Sequence, residues 1–246
     1  MKHRMKAFGF HLLGSSCVLC LMFGGLFLGW YRWPGWYLTG VIKVAGIVGA
    51  VDVVLGPLVT LLIANPRKPG RVLARDIAVI VVVQLSALIY GITTLWLGRP
   101  LYYVFSGEHL EMVQAQDVSA SDAQLALRKN PQLAPHWYSR PRRVWAPVPE
   151  DAEQRAELAH SGKSVILQPR FYRPWEQGLA ALRAQLKPVD QMPLFSVRQK
   201  ALFRQQLARQ GIDARLPVAL FMIGVGRPMV AIFNDRNEIQ TLLMPS

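Results

Sequence analysis

The chain has 246 residues and is basic: 28 Lys and Arg stand against 15 Asp and Glu, which gives a formal net charge of +13. A basic chain can attract nucleic acid. Here, however, residues 1–98 consist largely of long apolar runs, and most of the charged side chains lie in residues 99–246. We therefore predict a membrane half followed by a water-soluble half, and no nucleic-acid partner.

Three apolar runs are each long enough to cross a lipid bilayer as a helix, which takes about 20 residues. They lie at residues 7–30, 38–64 and 73–97. The first run follows Lys2, Arg4 and Lys6, as the core of a secretory signal peptide would. It is longer than the ~7 to 15 residues of such a core and has no small-residue cleavage site. We expect an uncleaved anchor and a three-span membrane domain over residues 1–98.

Basic residues predict the orientation of the spans, because loops rich in Lys and Arg stay in the cytoplasm. The N-terminal tail and the loop at residues 65–75 are rich in them, whereas the loop at residues 30–37 holds one Arg and five aromatic residues. Aromatic residues of this kind are typical of a membrane interface. We predict a cytoplasmic N-terminus and an extracytoplasmic domain over residues 99–246.

Residues 99–246 alternate between strand and helix patterns, which predicts an α+β domain. Residues 101–105 and 109–113 resemble two strands around a turn. Helices are predicted at residues 119–129, 150–160 and from Ser196, where Ser196 and Gln199 form a capping-box pattern. The last three apolar runs predict an antiparallel meander. They lie at residues 218–223, 229–233 and 238–244.

A segment rich in proline, arginine and aromatic residues at residues 135–147 is predicted to be a loop. Its aromatic side chains include Trp137 and Trp145. Large aromatic side chains and Arg are common in protein interfaces, so we interpret this segment as a candidate docking surface.

The residues that most often carry chemistry do not form a recognisable active or metal site. Cys17 and Cys20 lie inside an apolar run, where a reactive thiolate is disfavoured. Asp52 and Asp76 would lie ~15 Å apart in depth, too far for an aspartyl dyad. The histidines at positions 109, 136 and 160 lack ligand-like spacing. We expect no enzymatic activity, no metal and no cofactor.

Asp52 is the most informative residue, because an ionised carboxylate at mid-bilayer costs about 2.5 to 3.5 kcal/mol. It shares a predicted helix face with small residues, and small residues let another helix approach closely. The face consists of Ala45, Gly49, Asp52, Gly56 and Thr60. Three interpretations remain open: a hydrogen bond from Asp52 to Gln84 or Ser86 within the bundle, contact with a transmembrane helix of another protein, or ion and proton transport.

Several short motifs together resemble the type IV pilin accessory proteins called TfpX/TfpZ, or fimbrial assembly proteins. The resemblance covers about residues 30–115 and rests on the following sequences. They are Trp33-Pro34, residues 51–60, Asn65-Pro66 with Lys68, Asp76-Ile77, residues 84–91 and Arg99-Pro100. The resemblance implies a bacterial inner-membrane protein with a periplasmic domain that assists the stability or assembly of a type IV pilin without catalysis.

The resemblance also implies the partners, namely a type IV pilin subunit and the pilus assembly machinery. Pilins of this type wait in the membrane on one apolar helix. The hypothesis is that the face around Asp52, with Gln84, receives this helix, while Trp137 and Trp145 contact the pilin head. The alternative is a small transporter or proton-conducting protein that uses Asp52.

Overall fold

The computed structural model describes residues 2–63, 69–136, 138–192, 194–225 and 228–245. The chain divides into two compact units, Met1–Arg99 and Pro100–Ser246. The first unit is helical and the second contains a sheet.

Within its described residues, the first unit contains three helical stretches long and apolar enough to cross a membrane: Arg4–Gly29, Val41–Ile63 and Gly70–Leu97. The three apolar helices expected from the sequence are therefore present. The helices of this unit are α1 (Lys2–Gly29), α2 (Gly35–Thr39), α3 (Val41–Gly49), a π-helical segment (Ala50–Leu55), α4 (Gly56–Ile63) and α5 (Gly70–Leu97). Large apolar side chains such as Leu21 and Ile89 lie on the outside, 80% and 63% exposed. Such a surface suits a lipid environment.

The π-helical segment interrupts the second span next to Pro57. The backbone N–H of Gly56 donates to the carbonyl of Val51, five residues back, instead of four. Proline has no N–H, and its ring crowds the carbonyl four residues before it. Proline is tolerated in the first turn of a helix, and Pro57 is the second residue of α4. The wider turn before it therefore lets the span continue past the proline, and Asp52 lies inside this turn.

The second span lies between the other two helices. Helix α1 packs on α4 and on the π-helical segment, while α5 packs on α3, on the π-helical segment and on α4. Helices α3 and α5 are in close contact at Gly91, where an added Cβ would lie 2.4 Å from Cγ2 of Val48. Close approach at small residues is how helices associate in a bilayer.

Aromatic residues connect the C-terminal end of α1 to the C-terminal end of α5. The hydroxyl of Tyr31 donates to the carbonyl of Leu95 at 2.6 Å. The rings of Trp30 and Trp96 lie 4.9 Å apart, centre to centre, and the Arg99 guanidinium lies 3.7 Å from the centre of the Trp96 ring. Burial raises the pKa of Tyr31, so this hydroxyl stays protonated and remains a donor.

The second unit is built on a seven-stranded sheet with the order β4-β3-β1-β2-β5-β6-β7. The strands are β1 (Pro100–Ser106), β2 (His109–Gln114), β3 (Arg142–Trp145), β4 (Arg173–Pro174), β5 (Ala219–Ile223), β6 (Met229–Phe233) and β7 (Ile239–Leu243). The hairpin of β1 and β2 is antiparallel and pairs Val104 with Glu111. Strand β3 joins β1 in parallel, and β5 joins β2 in parallel.

The predicted antiparallel meander is not confirmed as the architecture of this domain, because the sheet is mixed. Strands β5, β6 and β7 pair in succession in antiparallel fashion. The sheet continues past them through the two parallel pairs. The segment at residues 135–147 also differs from the predicted loop, since Arg142–Trp145 is strand β3. Parallel pairing joins segments far apart in sequence, which local patterns do not predict.

Four helices accompany the sheet: α6 (Ala120–Lys129), α7 (Ala152–Ser161), α8 (Leu179–Gln185) and α9 (Val197–Arg209). The hydroxyl of Ser119 caps α6 by accepting from the N–H of Asp122. Ser196 and Gln199 form the predicted capping box of α9. Helix α7 ends at Gly162, which adopts the left-handed conformation that favours glycine.

Two clusters of buried side chains can be described among the placed residues of this unit. One joins α9 to β5 and β6 and includes Phe203, Leu207 and Val230. The other joins β1, β2 and β3 to the segment at residues 165–172 and includes Val104 and Tyr172. Each fully buried aliphatic or aromatic side chain contributes about 1.5 to 3 kcal/mol, so these clusters hold the sheet in place.

Candidate partner-binding site in the helix bundle

The helix face predicted around Asp52 points mostly into the bundle. Ala45, Asp52, Gly56 and Thr60 are buried, with Asp52 only 6% exposed, while Gly49 is half-buried. An added Cβ at Gly49 would meet no atom within 4 Å. The chain's own helices therefore cover most of this face.

Gln84 of α5 lies directly against the second span. Its Nε2 lies 3.5 Å from the backbone oxygen of Asp52, a long hydrogen bond. An added Cβ at Gly56 would lie 1.8 Å from the same Nε2, so glycine at this position leaves the space that the amide occupies. Ser86 points elsewhere, since its hydroxyl donates to the carbonyl of Val82 in its own helix. Of the two internal partners considered for Asp52, Gln84 contacts its backbone.

A second polar contact joins α1 to the second span. Nδ1 of His11 lies 2.6 Å from Oγ1 of Thr60, and the Thr60 hydroxyl donates to the carbonyl of Gly56 at 3.0 Å. The Thr60 hydroxyl therefore lies within hydrogen-bond distance of both the His11 ring and the backbone of the second span.

A cavity of about 170 Å³ lies between α1 and α5, and Asp52 lines it. Ser15, Val18 and Leu19 contribute from α1, and Val81, Gln84, Leu85 and Leu88 contribute from α5. A cavity of ~150 Å³ holds one aromatic ring, so this one has room for a single side chain. Its walls are apolar except for Ser15, Asp52 and Gln84.

A larger cavity of about 420 Å³ lies on the other side of Gln84, between the second span and α5. Its lining is apolar apart from Gln84 and Asp76. Gln84 therefore separates two cavities and borders both.

Of the two tryptophans of the predicted docking surface, the structure describes only Trp145. Trp137 lies outside the described residues. Trp145 belongs to β3, and its ring packs so closely on Gly178 that a Cβ there would lie 2.5 Å from Cγ of Trp145. The guanidinium of Arg173 lies 5.9 Å from the centre of the same ring. Trp145 is thus half-buried within its own domain.

The two cysteines do not line either of the cavities beside Gln84. Cys17 and Cys20 are both free and exposed on α1. Within the described ranges, the His, Cys, Asp and Glu side chains form no group of three that could hold a metal ion.

His11 and Ser15 were missed by the sequence analysis, although both lie in the polar cluster around Asp52. They are four residues apart, which puts them on one face of a helix. Polar side chains inside a membrane span usually face the bundle interior. That spacing, inside an otherwise apolar run, was the signal that could have identified them.

Three apolar helices with a polar cluster at their centre, followed by a mixed-sheet domain, define a helical membrane protein with one globular domain. A fimbrial assembly protein of serogroup I from Dichelobacter nodosus is 30% identical over 189 residues, which cover 76% of this chain and 72% of that protein. The serogroup E1 protein of the same organism is 29% identical over 189 residues. The protein of serogroups C1 and C2 is 34% identical over 113 residues, 46% of this chain and 86% of that protein.

The chain therefore belongs to the family of fimbrial assembly proteins. This membership supports a role in pilus assembly. No family model matches the chain, and no solved structure matches it.

Proposed function

We propose that this protein is a non-enzymatic accessory factor of the bacterial inner membrane that assists the stability or assembly of a type IV pilin. In this proposal the N-terminus is cytoplasmic and the sheet domain is periplasmic. The transmembrane helix of the pilin lies across α1 and α5, and the periplasmic domain contacts the pilin head. Family membership supports the link to pili, and the cavity at Asp52 supports the contact in the membrane.

The observation that carries the proposal is the position of Asp52. Its carboxyl group is buried, yet it borders a cavity that apolar side chains of α1 and α5 surround. A polar group held in the hydrocarbon region is expensive unless it has a partner, and such residues usually mark a functional site. The small volume fits one side chain of a partner helix, with the rest of that helix lying outside the cavity.

The chain's own helices cover most of the residues that the sequence assigned to the partner helix, namely Ala45, Asp52, Gly56 and Thr60. Gly56 faces Gln84, so it does not offer a free surface. Val18 on α1 and Leu85 on α5 line the cavity from opposite sides, and each is 51% exposed. A partner helix at the cavity mouth therefore contacts these two residues.

Site-specific photocrosslinking in cells that express the pilin tests this arrangement. A photoreactive amino acid at Val18 or Leu85 should form a covalent product with the pilin. Ile47, which is 67% exposed on α3 and lines neither cavity, is the matched control. The proposal is contradicted if Ile47 gives products as abundant as those at Val18 and Leu85. It is also contradicted if neither Val18 nor Leu85 gives a product with the pilin.

The rival function is proton conduction, and the contacts of His11 favour it. His11 and Asp52 are two titratable residues within the apolar spans, and His11 contacts Thr60 of the span that carries Asp52. A proton path needs more than one such group. Proton flux into proteoliposomes tests this function. Proton conduction is ruled out if the wild type and Asp52→Asn give equal flux and neither flux exceeds that of empty liposomes.

A further inference from the structure

The sheet domain contains a cavity of about 460 Å³ where the end of α6, the start of α7 and strand β4 meet. Lys129, Arg170 and Arg173 line it, and no aspartate or glutamate occurs among the described residues that line it. A concave site lined by one sign of charge attracts ligands of the opposite sign. The cavity thus favours a negatively charged ligand.

The three cations are not equivalent. Arg170 is 10% exposed and is held by Glu157 at 2.7 Å and by Oε1 of Gln168 at 2.5 Å. Its charge is therefore largely balanced within the domain. Lys129 and Arg173 are exposed, and neither forms a salt bridge with any other residue that the structure describes. These two side chains supply the net positive charge at the cavity.

The neutral groups of the cavity suit a peptide. Gln132, Gln154 and Gln177 line it and are exposed. A carboxamide can donate to a peptide carbonyl and accept from a peptide N–H at once. Strand β4 at the edge of the sheet has only two residues, and one is Pro174, which has no N–H to donate. Side chains rather than the strand backbone therefore provide the recognition.

We propose that this cavity binds an acidic segment of a partner protein, whose carboxylates pair with Lys129 and Arg173 while its backbone amides bond to the glutamines. This proposal rests on the proposed function only in taking the partner to be a protein. Arg170 lines the same cavity and stays paired with Glu157 and Gln168.

The binding test uses the full-length protein purified in detergent and a fluorescein-labelled peptide of alternating glycine and glutamate. Fluorescence polarisation should show saturable binding that weakens as salt is raised, since exposed charges are screened. Replacing both Lys129→Gln and Arg173→Gln should lower the affinity about tenfold or more, because hydrogen bonds to charged groups are the stronger ones. The charge-conserving pair Lys129→Arg and Arg173→Lys should retain most of the binding.

Arg128→Gln is the matched control, because Arg128 precedes Lys129, is exposed and does not line the cavity. It should change the affinity less than about twofold. An equal loss with Arg128→Gln, or equal binding of a peptide with glutamine in place of glutamate, overturns the proposal.

Trigalacturonic acid serves as a competitor of the labelled peptide, because a sugar acid also carries carboxylates. Displacement of the peptide by this sugar at lower concentration than by unlabelled peptide identifies a saccharide site and overturns the peptide assignment. The peptide-binding result is independent of the proposed contact in the membrane. Photocrosslinks at Val18 and Leu85 can form when the acidic peptide does not bind, and the peptide can bind when no photocrosslinks form.

Discussion

Replacing Gly91 by alanine tests whether the close approach of α3 and α5 holds the bundle together. The added methyl group would lie 2.4 Å from Cγ2 of Val48. Carbon atoms in favourable contact are about 3.5 to 4.0 Å apart, so the two helices must separate by about 1 Å. Valine is stiff at χ1, so its side chain cannot turn aside without strain.

The expected cost follows from two opposing effects. Overpacking of a closely packed core costs about 1 to 3 kcal/mol. Alanine is preferred to glycine inside a helix by about 0.5 to 1 kcal/mol. The Gly91→Ala variant should therefore be destabilised by up to about 2 kcal/mol.

Thermal unfolding in detergent, followed by far-UV circular dichroism, measures the effect. Gly46→Ala is the matched control, because an added Cβ at Gly46 meets no atom within 4 Å. This control should melt at the wild-type temperature or slightly above it, and Gly91→Ala should melt below it. If both variants melt together, the contact between Gly91 and Val48 does not limit the approach of the helices.

Three further variants test the polar contacts and the thiols. Thr60→Val leaves Nδ1 of His11 without its hydrogen-bond partner and should lower the stability of the bundle by about 1 to 3 kcal/mol in the same melting assay, whereas a change equal to that of Val59→Ala would argue against the contact. Burial alone would raise the pKa of Asp122, but hydrogen bonds from Ser119 and Lys163 and the charge of Arg170 outweigh burial and hold that pKa below its ordinary value. Its contribution to stability is thus present at neutral pH and is lost as the pH falls below about 4; urea unfolding followed by tryptophan fluorescence should show this loss, and Asp122→Asn should reduce the pH dependence. Cys17→Ser with Cys20→Ser should leave the number of pili per cell unchanged by electron microscopy, because both thiols are exposed and free; loss of pili would indicate a thiol function.

The apolar spans could be predicted from the sequence because their signal is local. A run of about 20 apolar residues is long enough to cross a bilayer whatever lies around it. The π-helical segment could not be placed in this way, since it arises where the backbone accommodates Pro57 against its preceding turn. Gln84 was considered as a partner of Asp52, but its packing on Gly56, 28 residues away along the chain, was not predicted.

In the sheet domain, even more features depend on residues that are distant in sequence, and these could not be predicted from local patterns. The β1–β2 hairpin and the capping box of α9 follow from neighbouring residues, and both were predicted. Strand β3 was assigned to a loop because its short sequence stands among prolines and arginines, and its pairing with β1 joins residues about 40 apart. The basic cavity gathers Lys129, Gln154 and Arg173 from three separate elements. No pattern within one element indicates such a site.

The parallel pairing of β2 with β5 also sets an order of events during synthesis. Leu110 pairs with Met222, so the middle of the sheet stays open until more than a hundred further residues have been made. Contacts between such distant segments form slowly. Until they form, β2 presents an unpaired edge, which is a site for wrong pairing between chains. A ribosome that stalls before Ala219 would therefore leave a membrane protein with an incomplete sheet, which proteases would readily degrade.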